Sequence, residues 1–95
     1  MTVVSYLRLP IKQEYVAEFE RDMDEMLALV KDQPGFYRAE VLRARDDLDT
    51  FVILSEWESR DHIKAWEHSP RHEEIMKLYE DHYREKFRTR KYTPL

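Results

Sequence analysis

The apolar residues of this chain switch between a spacing of two and a spacing of three or four as the sequence proceeds, and the order of those switches admits few folds. Val3, Ser5, Leu7 and Leu9 alternate with Val4, Tyr6 and Arg8 until Pro10 ends the run, which predicts a strand over Val3 to Leu9. From Gln13 to Gln33 the spacing lengthens. Tyr15, Phe19, Met23, Met26, Leu27 and Val30 fall on one helical side, with Glu14, Glu18, Glu20, Asp24 and Lys31 on the others. Pro34-Gly35 closes that helix, since a proline pushes the residue before it out of helical geometry and a glycine permits the turn. Phe36 to Arg45 and Thr50 to Trp57 return to aromatic and β-branched residues around the polar turn Asp46-Asp47-Leu48-Asp49, a hairpin signature. Ser59 caps a short helix over Arg60 to Glu67, and Ser69-Pro70 supplies a second cap and a first-turn proline for another that runs to about Asp81. Alternation resumes from Tyr83 to Tyr92 and predicts a closing strand.

The resulting order, βαββαβ with its second helical segment broken in two, is the split βαβ arrangement. It predicts an α+β, ferredoxin-like domain in which helices cover one face of a four-stranded antiparallel sheet. Residues 1–95 make one such domain, because a chain of this length encloses a single core. The other sheet face is left bare, yet strands two and three carry large side chains on both sides: Phe36 and Tyr37, Val41 and Leu42, Val52 and Ile53. At roughly 25 cal/mol per Å² an exposed apolar patch is a liability that a second copy packed face to face removes. A twofold homodimer through the sheet face is therefore the expected assembly.

Composition removes several classes of function. A chain that is 42% hydrophobic, 13% aromatic and 38% charged folds rather than staying disordered. Its net charge of -4 repels nucleic acid and anionic membrane, so neither is an expected partner. The absence of cysteine excludes disulfides, thiolate nucleophiles and cysteine metal sites. The first ten residues lack the basic and apolar regions of a signal peptide, which makes a cytoplasmic setting the expectation. RNA-binding modules share the βαββαβ order, but Phe51-Val52-Ile53-Leu54-Ser55-Glu56-Trp57 lacks their glycine and basic residue. His62, His68, His72 and His82 invite a metal site. Pro70 breaks the helix between His68 and His72, however, and His72-Glu73-Glu74-Ile75-Met76 lacks the second histidine of an H-E-x-x-H pair, so no metal is expected.

Three segments carry a family resemblance: Pro34-Gly35-Phe36-Tyr37, the run Phe51-Val52-Ile53-Leu54-Ser55-Glu56-Trp57-Glu58-Ser59, and Ala65-Trp66-Glu67-His68-Ser69-Pro70-Arg71-His72. In this order the chain resembles the antibiotic biosynthesis monooxygenase family. The resemblance implies a dimeric α+β barrel with a pocket in each subunit between sheet and helices. It also implies oxygenases that act on aromatic polyketides and quinols without metal or flavin. Such chemistry has a physical logic, since an electron-rich phenol or quinol, deprotonated in a dry pocket, can itself pass an electron to dioxygen. It needs a base and an apolar cage. His72 is the candidate base, because histidine titrates near neutral pH. Trp66 is the candidate catalytic wall, and Leu7 and Ile63 join it as candidate substrate-binding residues. The ligands implied are a small aromatic substrate and dioxygen, with no cofactor.

Competing readings attach to the same residues. Trp66 at helical spacing from Ile63 also suits a plain core position, and His72 behind a Ser-Pro cap also suits a surface or capping role. Tyr79 and Tyr83 are assigned to a dimer seam ahead of a pocket. The alternating Arg84, Lys86, Arg88 and Arg90 read as a solvated strand edge. Haem-degrading members of the family share a residue like Trp66, but they use an asparagine on the first strand and this chain has none; Met76 stands where their axial histidine would be. A non-catalytic dimeric ligand-binding domain, with the pocket kept and the chemistry lost, is the rival from another class.

Overall fold

The computed structural model describes residues 2–95. Its elements run β1 (Val3–Pro10), a 3-10 turn (Gln13–Tyr15), α1 (Val16–Val30), β2 (Phe36–Arg43), β3 (Thr50–Trp57), α2 (Arg60–Glu67), α3 (Pro70–Leu78) and β4 (Arg88–Tyr92). The four strands form one sheet in the order β2-β3-β1-β4, with every neighbouring pair antiparallel. This is the ferredoxin-like α+β architecture that the periodicities predict. No helix among the described residues is long and apolar enough to cross a membrane.

The boundaries differ from the sequence reading mainly after α3. The closing strand begins at Arg88, not Tyr83, and α3 ends at Leu78 rather than near Asp81. Side-chain anchoring explains the shortened strand. Tyr83 makes only an isolated bridge to Ile11. Arg84 lies across the surface of the turn, donating to the carbonyls of Ile11 (3.0 Å) and Asp49 (3.3 Å), to Thr50 Oγ1 (2.8 Å) and to the Asp47 carboxylate. Arg84 therefore fastens the α3–β4 connector to the β2–β3 turn while remaining exposed, as are Lys86 on the connector and Arg88 and Arg90 on β4. The Thr50 hydroxyl and the Arg84 guanidinium together hold the Asp47 carboxyl below the usual carboxylate range.

Two apolar clusters join the helices to the sheet. Leu9, Ile11 and Phe51 pack with Val16, Phe19 and Met23 of α1 and with Tyr79. The Phe19 ring sits 4.9 Å from Phe51 and 5.5 Å from Tyr79, at the tilted angles that aromatic quadrupoles favour. The second cluster joins Val3, Val30, Trp57 and Ile63, with Phe36 and Trp66 against it. Trp57 satisfies its indole N–H on Ser55 Oγ at 3.0 Å.

The glycine turn is a packing device. Gly35 has φ of 77°, and a Cβ there would overlap the His62 ring. Its carbonyl accepts from the Glu58 N–H at 2.7 Å, while His62 Nδ1 bonds Ser59 Oγ at 2.7 Å. The Pro34-Gly35-Phe36 turn and the Trp57-Glu58-Ser59 corner are thus two halves of one joint.

The face away from the helices mixes apolar and charged residues in rows set by strand register. Leu42, Val52 and Arg8 lie across one row, Glu40, Leu54 and Tyr6 across the next, and Arg38, Glu56 and Val4 across the third. The sequence reading of large apolar groups on this face holds at its centre. Its rim carries Arg38 bonded to Glu56 (2.9 Å), with Arg88 and Arg90 exposed on the β4 side.

Candidate functional site

Sheet register opens a space under the helices. Ala39, Ser55 and Ser5 lie side by side across β2, β3 and β1, between a row of Val41, Ile53 and Leu7 and a row of Phe36, Trp57 and Val3. Small side chains in the middle row leave a gap that the larger neighbours frame. The result is a chamber of about 80 Å³, several times what one water requires, roofed by residues of α1, α2 and α3. It widens into a vestibule of about 740 Å³. Leu7, Glu67, His72, Met76, Tyr83 and Thr89 border both spaces and so form the neck between them.

All four candidate site residues meet here. Leu7, Ile63, Trp66 and His72 each line the chamber. The Ser69-Pro70 corner places His72 in the first turn of α3, where its backbone N–H donates to Ser69 Oγ at 3.2 Å and its ring is left to the neck. That ring meets Trp66 edge to face, at 5.3 Å and 75°. Trp66 also packs on the second core cluster, so its core role and its wall role are one placement. Burial pushes the His72 imidazole below its ordinary pKa, against an opposing pull from the Glu67 carboxylate and main chain and from Glu73. The ring is therefore neutral at pH 7 and has a free lone pair.

Several lining residues carried no sequence signal for a site. Ser5 and Ser55 look like ordinary strand residues until register brings them together. Glu67 lines the neck while bonding Lys91 Nζ at 3.0 Å. Tyr79 and Tyr83, assigned to a dimer seam from sequence, both line the chamber. Tyr79 donates its hydroxyl to Asp22 Oδ2 at 2.8 Å, and burial with that bond pushes its phenol far up. Burial alone pushes the Tyr83 phenol up to about 12, so it is a proton donor at neutral pH, not a base.

Residues 2–78 match the profile of the antibiotic biosynthesis monooxygenases. The chain belongs to that family. Among solved structures, the chain resembles a Nitrosomonas europaea protein assigned to the same family, at 18% identity and TM-score 0.90, over 99% of this chain and 90% of that one. SnoaB, a cofactor-independent oxygenase from Streptomyces nogalater, superposes with TM-score 0.84 at 22% identity over 98% of this chain and 92% of its own. At such identities the likeness is one of fold. The uncharacterized protein YqjZ of Bacillus subtilis is 32% identical over 63 residues, which are 66% of this chain. Those residues amount to 54% of YqjZ, so the match spans about half the length of that relative.

Among the described residues no three His, Asp or Glu side chains converge as a metal would require.

Proposed function

We propose that the protein is a cofactor-independent monooxygenase that oxidises a small phenol or quinol with dioxygen in the space formed by the chamber and the vestibule it opens into. The observation that carries this reading is the partly buried His72 imidazole set edge to face against Trp66 at the neck of a mostly apolar cavity. Its ring accepts the phenolic proton, and the apolar walls exclude water and hold the phenoxide. The phenoxide gives one electron to dioxygen. The resulting radical pair combines at a hydrogen-bearing ring carbon ortho or para to the oxygen, forming a C–O bond to a hydroperoxide. Loss of that carbon's hydrogen with cleavage of the O–O bond yields a quinone and one water, and both atoms of dioxygen are thereby accounted for.

A non-catalytic binding domain would need the same walls but no base at the neck, and it is the base that favours the enzyme. Oxygen-electrode measurements on a panel of mono- and bicyclic phenols and quinols test the proposal. The expected result is uptake above the spontaneous rate for at least one of them, with one water formed per dioxygen and no added metal or flavin. Uptake that matches buffer alone for every member would sink it.

The working assembly in this proposal is a homodimer closed through the bare sheet face, with Val4, Tyr6, Leu42, Val52 and Leu54 at its centre. Leu42 is 43% exposed and Tyr92 52% exposed in the single chain, and a twin surface would bury both. Sedimentation equilibrium at micromolar concentration should return twice the chain mass of 11.7 kDa. Leu54→Arg, on the same face, should shift the protein toward monomer. A monomeric wild type would remove the dimer from the proposal.

A further inference from the structure

The floor of the chamber holds two hydroxyls that the proposed proton transfer does not use. Ser5 and Ser55 are cross-strand partners in the row of small residues under the helices. Ser5 is 8% exposed, yet its side chain has no hydrogen-bond partner among the described residues, and its oxygen is not sealed away from the cavity space. That hydroxyl is therefore open to the cavity and has its proton free to donate to a ligand. Ser55 is half-buried, and its oxygen already accepts the Trp57 indole N–H at 3.0 Å. That bond uses an acceptor lone pair and leaves the Ser55 proton to donate elsewhere. The rest of the floor row offers nothing polar in the same place. Ala39 has no polar side chain, and Lys91, across from Ser5 on β4, is engaged with Glu67 at 3.0 Å.

We infer that Ser5 and Ser55 form a specificity-determining donor pair that binds an acceptor oxygen on the ring of the aromatic ligand. This rests on the reading of the chamber as the substrate site. The ligand class it selects is a planar aromatic with a carbonyl or phenoxide oxygen directed at the sheet, opposite the edge that faces the neck. Apolar walls supply area for the ring but no orientation. The two hydroxyls fix which edge enters first, as the few polar groups of an apolar pocket do.

Binding, rather than turnover, tests the inference. Isothermal calorimetry would compare 1,4-naphthoquinone, which carries acceptor oxygens, with naphthalene, which has the same ring area and none. The chain has no cysteine for the quinone to alkylate. The wild type should bind the quinone about tenfold more tightly, and Ser5→Ala/Ser55→Ala should bring the ratio close to one through loss of quinone affinity alone. Circular dichroism checks that the double variant is folded; if it is not, Ser5→Ala alone should still lower the ratio. A wild-type ratio near one, no saturable heat with the quinone, or an unchanged ratio in the folded variants would overturn it. A preserved preference in a protein that consumes no oxygen would uphold the donor pair while removing the monooxygenase reading, so the two can fail separately.

Discussion

His72→Ala should lower oxygen uptake with any accepted quinol by at least about 100-fold, the usual worth of a positioned general base. The effect should fall on the rate and not on folding. The capping bond at this position is made by the backbone N–H to Ser69, which alanine keeps. His68→Ala, at an exposed position nearby, is the control and should leave uptake unchanged. The pH profile supplies a second reading. Burial depresses the His72 pKa, so the base stays neutral through pH 7, and the acid limb of kcat/KM should lie below the ordinary histidine value of about 6.5. The stability linkage runs in the same direction. Protonation favours the unfolded chain, in which the histidine has its ordinary pKa. The contribution is therefore complete above about pH 6.5 and falls away as the pH drops from there toward the folded value. Equal uptake in wild type and His72→Ala, or an acid limb above pH 7, would remove His72 from the chemistry.

Phe19→Ala should destabilise the fold by about 3–5 kcal/mol, a large share of the 5–15 kcal/mol that holds a domain of this kind together. Phe19 has no exposed surface, packs against the rings of both Phe51 and Tyr79, and is the point where α1 meets the sheet and the end of α3. Alanine would leave a void next to the chamber and remove both ring contacts. Urea unfolding followed by circular dichroism, at one fixed protein concentration so that any association is held constant, would measure the loss. Phe19→Leu should recover most of it. A change under about 1 kcal/mol for the alanine variant would mean that α1 does not depend on this contact.

These two residues mark what the sequence could and could not reveal. Phe19 was readable because a helix repeats its buried side every three or four residues, and the same periodicity placed Trp66 beside Ile63. His72 was readable as a candidate because histidine titrates near neutral pH and because it sits in the Ser69-Pro70-Arg71-His72 segment of the family resemblance, and the structure brings it to Trp66. Ser5 and Ser55 were not readable, since fifty residues separate them and only strand register makes them neighbours. Tyr83 misled for a related reason. Tyr83 to Tyr92 alternates like a strand throughout, but the tertiary bonds of Arg84 override the pattern as far as Phe87, and the tyrosine ends up in the cavity wall.

The Arg84 fastening has a bearing on how a ligand is met. One guanidinium, tied at once to two carbonyls, a hydroxyl and a carboxylate, immobilises the connector that carries Tyr83 and flanks the vestibule. The entropy of ordering that stretch is lost when the chain folds, so an arriving molecule has no flap to organise and keeps more of its contact energy as affinity. Among compounds small enough to pass, differences in binding should then reside in how slowly they depart.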